Sequence, residues 1–243
     1  MLITVGWATT LYRWRQKWQR QQQAWHWWHQ QQALHSHHTA ESIRDGLLQQ
    51  TFAFRRYLET LEEDGPTSSS PEQTARWLER FQTFYKSLEI LSDELSPPFI
   101  AESLPLALKF TLSNWSFSPP YSESDTSRPS PILHFDLPAE WPHSSAHQNQ
   151  IVLSIVTALL ALLMPECQNV KQINIDLHHT ETDNILTLTI ENKPGQLTSK
   201  ITKLAELQHL KEIFHSLAAG RLEISQAGTA TTGCLSWQNS SHL

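Results

Sequence analysis

Only 7 of the 243 residues are glycine. Loops that cradle phosphates rely on glycine, because a backbone without Cβ lets several N–H groups close on one anion. A glycine-rich nucleotide cradle therefore has little material here. Cysteine is scarcer still: Cys167 and Cys234 have no metal-ligand spacing, which excludes a disulfide scaffold and suits a reducing compartment. The formal net charge of −6 lacks the basic excess of a nucleic-acid binder. Apolar runs are short. The opening stretch 1–12 and the run 150–164, read as a helix of about 15 residues, both fall below the roughly 20 that span a bilayer. No small-residue cleavage site follows the first run, so no secretory signal is recognisable.

Tryptophan and basic residues are abundant near the N-terminus. Arg13, Trp14, Arg15, Lys17, Trp18 and Arg20 are followed by Trp25, Trp27 and Trp28. This mixture favours a membrane–water interface, while the plainer alternative is a long surface helix continuing into a coiled coil. If a segment precedes Met1, a full transmembrane helix would end near Tyr12. Glutamine runs at 21–23 and 30–32 suit a solvated linker helix. His26, His29, His35, His37 and His38 crowd the same linker, and His35 and His38 share a helical face. No further converging ligand is visible, so a metal site is not expected.

Helical periodicity dominates the next stretch. Ile43, Leu47, Phe54 and Leu58 recur at helical spacings, and the helix is expected to run to about position 63. The run 64–71 holds Asp64, Gly65, Pro66 and Pro71 and breaks it. Ser70 can cap a second helix with Pro71 at its first position. That helix carries Ala75, Leu78, Phe81 or Gln82, Tyr85, Leu88 and Leu95 as a rough stripe. Two such helices bury their apolar faces poorly alone, so a homodimeric four-helix bundle is expected through 40–95.

Beyond 95 the pattern changes. Prolines 97, 98 and 105 break and restart a helix, and 113–131 is a Ser/Pro-rich loop. Strands are expected at 132–137, 171–177, 184–192, 221–225 and 232–237. A buried helix is expected at 150–164 and another at 198–217, ended by Gly220 as a left-handed cap or turn. The order predicts an α+β sandwich with helices on one face of a largely antiparallel sheet.

The turn holding Arg44, Asp45 and Gln49 resembles the first dimerisation helix of sensor histidine kinases, in the subfamily with His-Asp-x-x-x-Gln. Asp45 and Gln49 match, but Arg44 stands where that family has its phosphoacceptor. A guanidinium stays protonated and has no free nucleophilic lone pair. The segment 95–108 is similar to the family's Leu-x-Pro-x-x-Leu segment, with Ser103 in place of a glycine. The region 132–237 is similar to the family's ATP-binding domain. The resemblance implies a dimerisation hairpin over 37–112, after a membrane-proximal linker helix over 1–36. It places a loop at 113–131 and a histidine-kinase-type ATPase α/β sandwich at 132–243.

The family's Glu-x-x-x-Asn falls on Ala158 and Leu162, and leucine offers Mg²⁺ no oxygen. Its Asp-x-Gly-x-Gly falls on the run from Glu191 to Gly195, with Lys193 at the first glycine. No glycine opens the following helix near 204–210, whereas Gly220 and Gly228 match turns that shape the fold. No phosphoacceptor, ATP, Mg²⁺ or other cofactor is therefore expected. The resemblance implies a degenerate, pseudokinase-like member of a two-component system, cytoplasmic and held at a membrane by its N-terminus. It would act as a dimeric partner of a response regulator or of another histidine kinase, docking through Arg44, Asp45 and Gln49. The alternatives are a histidine phosphotransferase using His37 or His38 and a membrane-attached structural dimer.

Overall fold

The computed structural model describes residues 2–64, 71–115, 131–142, 144–164, 170–193 and 205–238. The expected breaker and cap at 65–70, most of the Ser/Pro loop, Cys167, Gly195 and the start of the helix expected from 198 lie outside these residues. Helix α1 spans Leu2–Glu41, a π-helical turn spans Ser42–Leu48, α2 spans Gln49–Asp64 and α3 spans Pro71–Leu95. Then follow α4 (Leu104–Ser113), β1 (Ile132–Asp136), α5 (Ala146–Leu163), β2 (Val170–His179) and β3 (Asp183–Asn192). The chain ends with α6 (Ala205–Ala218), β4 (Arg221–Ala227) and β5 (Ala230–Gln238). It forms two compact units, one of Met1–His29 with Pro98–Leu243 and one of Gln30–Pro97.

The larger unit is α+β. Its sheet has the order β1-β2-β3-β5-β4. β1 runs parallel to β2 and the other neighbours are antiparallel. Alternation sorts the strands into two faces. Ile173, Ile175, Leu177, Leu186, Leu188, Ile190, Leu235 and Trp237 are buried in one core with residues of α4, α5 and α6. Asn174, Asp176, Thr187, Thr189, Thr232 and Cys234 lie between them in sequence and stay partly exposed.

The central helix α5 begins at Ser145, whose hydroxyl accepts a hydrogen bond from the Gln148 amide at 3.1 Å. It is 18 residues long, longer than the run of apolar residues suggested, because Ala146 and the polar residues His147 to Gln150 supply its start. By length and composition it would pass for a membrane span, yet half of it is buried inside this unit as the core helix. Leu159 rests on β5 where Gly233 leaves room: a Cβ there would approach Leu159 Cδ2 to 2.8 Å.

Gly220 is not the left-handed cap expected of it. Ala219 takes that conformation, with φ 48°. Gly220 is required for space instead, since a Cβ on it would run into the Phe214 ring. The positive φ in the β4–β5 turn belongs to Gly228, at 59°.

Two segments join this unit from outside the sheet region. Leu104, Leu108 and Leu112 of α4 are buried in its core, so the segment from Pro98 belongs to this unit. The Asn149 side chain secures this junction by donating to the Ile100 carbonyl at 2.8 Å and accepting from Ser144 Oγ at 2.6 Å. Within α1, Ala24 is fully buried and Trp25, Trp27 and Trp28 pack against the same core. Trp27 lies 5.9 Å from His209 between ring centroids, and Gln21 Nε2 donates to Ser216 Oγ at 3.3 Å.

The smaller unit is a helical hairpin. Leu47 is buried, and the Phe54 ring lies 5.5 Å from Phe81 and 6.3 Å from Trp77. Trp77, Phe84 and Leu91, at seven-residue spacing, are the half-buried apolar residues of α3. The stripe read from the sequence is the other one. Leu78, Phe81, Tyr85, Leu88 and Leu95 are all more than 40 % exposed, as are Leu48 and Phe52 before them.

Candidate functional site

Arg44 is exposed within the π-helical turn, and Gln49 is exposed as the first residue of α2. Asp45 lies between them on the same turn. A π-helical segment widens the backbone by one residue per turn, and such segments concentrate at functional positions. Gly46 has open space around its Cα, so no steric need requires glycine. Its low helix propensity instead weakens regular α-helix at this point.

One turn earlier, His37 is 69 % exposed, with Nδ1 3.5 Å from the Glu41 carboxylate in an i,i+4 pair. His38 lies on the same helix. His35 is exposed, and among the described residues no group of three His, Cys, Asp or Glu side chains could hold a metal ion.

In the larger unit, Ala158 and Leu162 are adjacent on one face of α5 and half-buried against the core. From Ile151 to Met164 only Ser154 and Thr157 carry side-chain oxygens, and the Thr157 hydroxyl donates to the Ser154 carbonyl at 3.0 Å. Mg²⁺ takes oxygen ligands in near-octahedral array. This face of α5 does not fit a metal–triphosphate site.

At the end of β3 burial alternates from residue to residue. Ile190 and Asn192 are buried, while Glu191 between them is partly exposed and pairs with Gln172 and Ala230. Side chains alternate along a strand, so Asn192 occupies the inward position and Glu191 the outward one. Both polar atoms of the Asn192 side chain, and Thr231 Oγ on β5, are buried without a hydrogen-bond partner among the described residues. β2 has its bulge opposite this point, between Val170 and Gln172. The inward parity of Leu186, Leu188 and Ile190 extends to Asn192. Lys193 beyond it is exposed.

No family model matches this chain and no curated protein sequence matches it. Solved structures do. The blue-light-activated histidine kinase of Erythrobacter litoralis is similar at 10 % identity and TM-score 0.45, covering 83 % of this chain and 61 % of that one. The histidine kinase AdeS of Acinetobacter baumannii is similar at 12 % identity and TM-score 0.37, covering 80 % and 98 %. A bacterial phosphotransferase is similar at 11 % identity and TM-score 0.39, covering 81 % and 92 %.

Proposed function

We propose that this chain is a non-catalytic, histidine-kinase-like signalling protein of the two-component type. It works as a homodimer that binds a response regulator or another kinase. The observation that carries the reading is the hairpin surface: exposed Arg44 on the π-helical turn and exposed Gln49 just after it, with an apolar stripe left open on α3. The stripe repeats at three- and four-residue steps from Leu78 through Phe81 and Tyr85 to Leu88, the pattern of a helix-bundle seam. A second hairpin would cover it, and the polar turn would remain as a docking surface. Arginine at position 44 supports binding without phosphoryl acceptance, since its guanidinium recognises carboxylates and phosphates. The aliphatic face of α5 supports the same conclusion from the other unit.

The test is calorimetric titration of the chain with purified receiver-domain proteins, each in unphosphorylated and phosphorylated form. Binding that weakens tenfold or more in the Arg44→Glu variant supports the reading. Binding indifferent to that variant, or absent throughout, refutes it.

A second reading is favoured by one observation. His37 is open to solvent and has a carboxylate next to Nδ1, leaving Nε2 free to accept a phosphoryl group in a phosphotransferase. Acid-labile phosphate on His37 after incubation with a phosphorylated receiver domain would establish it.

A further inference from the structure

Five of the six tryptophans in the first 28 residues divide between two environments. Trp25, Trp27 and Trp28 are packed on the core of the larger unit. Trp14 and Trp18 are 67 % and 53 % exposed, and their rings stack on each other at 6.5 Å with planes 7° apart. On the helix these groups are continuous, because Trp14 and Trp28 differ by fourteen residues and Trp18 and Trp25 by seven, so all four fall on one stripe. The stripe is thus docked at one end and bare at the other.

Charge identifies what covers the bare end. Arg13, Arg15, Lys17 and Arg20 are all exposed around it. No acidic residue precedes Glu41 in α1. These four cations give +4 against −6 for the whole chain, so the other residues carry −10. A second copy of this segment would meet its own positive charge, and nothing on the segment offers a counter-charge. An anionic lipid surface supplies both complements. Indole rings settle at the headgroup level, and basic side chains beside them are drawn to the negative leaflet. The acidic remainder is repelled from the same surface, which confines attachment to this segment.

We infer that residues 12–20 form an interfacial anchor for anionic phospholipid. The buried face around Ala24 and Trp27 fixes that anchor to the larger unit. This goes beyond the signalling role proposed above and stands independently of it.

The experiment is co-sedimentation of the full chain with vesicles of phosphatidylcholine alone or mixed with phosphatidylglycerol. The expected result is binding to the mixed vesicles only, abolished at about 0.5 M salt, where screening is nearly complete. Two variants should each weaken partitioning tenfold or more: Trp14→Ala with Trp18→Ala, and Arg13, Arg15, Lys17 and Arg20 all changed to Gln. All altered side chains are exposed, so both variants keep the fold, and unchanged thermal unfolding verifies this. Equal binding to neutral vesicles overturns the inference, as does anionic binding that both variants retain. Absence of vesicle binding, with self-association that the tryptophan variant abolishes, overturns it in favour of a second copy.

Discussion

Trp27 of the N-terminal helix packs on His209 of α6, with ring centroids 5.9 Å apart and planes inclined by 33°. The contact makes part of α1 a structural member of the larger unit. Fully buried Ala24 lies one turn before it, and Gln21 bonds Ser216 a further turn back. Movement of the N-terminal segment is thereby tied to α6 directly.

Trp27→Ala should lower the stability of the larger unit by roughly 1–3 kcal/mol, since a large, partly buried ring is lost. Trp14→Ala, which removes an exposed ring, should change it by less than about 0.5 kcal/mol. Chemical denaturation of both variants checks the difference. Equal effects would show that α1 does not dock as described.

Gly233→Ala places a methyl group against Leu159, whose Cδ2 would then stand 2.8 Å away. A cost of roughly 1–3 kcal/mol is expected from overpacking. Leu159→Ala in the same chain should recover part of it by making room. A double-mutant cycle in denaturant measures this coupling, and strict additivity would mean that helix and strand are not in contact there.

The open stripe proposed as a dimer seam is distinct from the hairpin's own buried contacts. Phe52 and Tyr85 are 67 % and 63 % exposed, so Phe52→Asp and Tyr85→Asp should leave the hairpin helical while dissociating the dimer. Leu47→Asp should unfold the hairpin itself, because Leu47 is buried and an unpaired carboxylate there is costly. Light scattering and far-ultraviolet circular dichroism distinguish the cases. A wild-type monomer at micromolar concentration would contradict the bundle.

Sequence pattern marks all five strands, by alternation in the first of them, and the uniform apolarity of 150–164 marks the buried helix. Both signals come from burial, which acts on every residue of an element. Features that depend on tertiary neighbours were less legible. Leu47 and Phe54 were read as a dimer stripe, but their partners lie inside the hairpin. The tryptophans were read as one interfacial group, although Trp27 meets His209, about 180 residues away in sequence. Gly220 was read for its backbone freedom, whereas the Phe214 ring explains it. Motif order points to Glu191, while the inward position at the end of β3 belongs to Asn192. Such choices turn on which side chain faces which, and local patterns do not encode that.

The central claim is that the chain binds partners without phosphorylating. It is tested most directly by incubating the full chain with γ-labelled ATP and Mg²⁺, as wild type and as the Arg44→His variant. Arg44→His returns a nucleophile to the exposed turn, while Ala158 and Leu162 still give the metal no oxygen. The account predicts no acid-labile label on either protein. Label on the wild type would contradict it by revealing an acceptor such as His37. Label on Arg44→His alone would contradict it by showing that the larger unit still delivers a phosphoryl group.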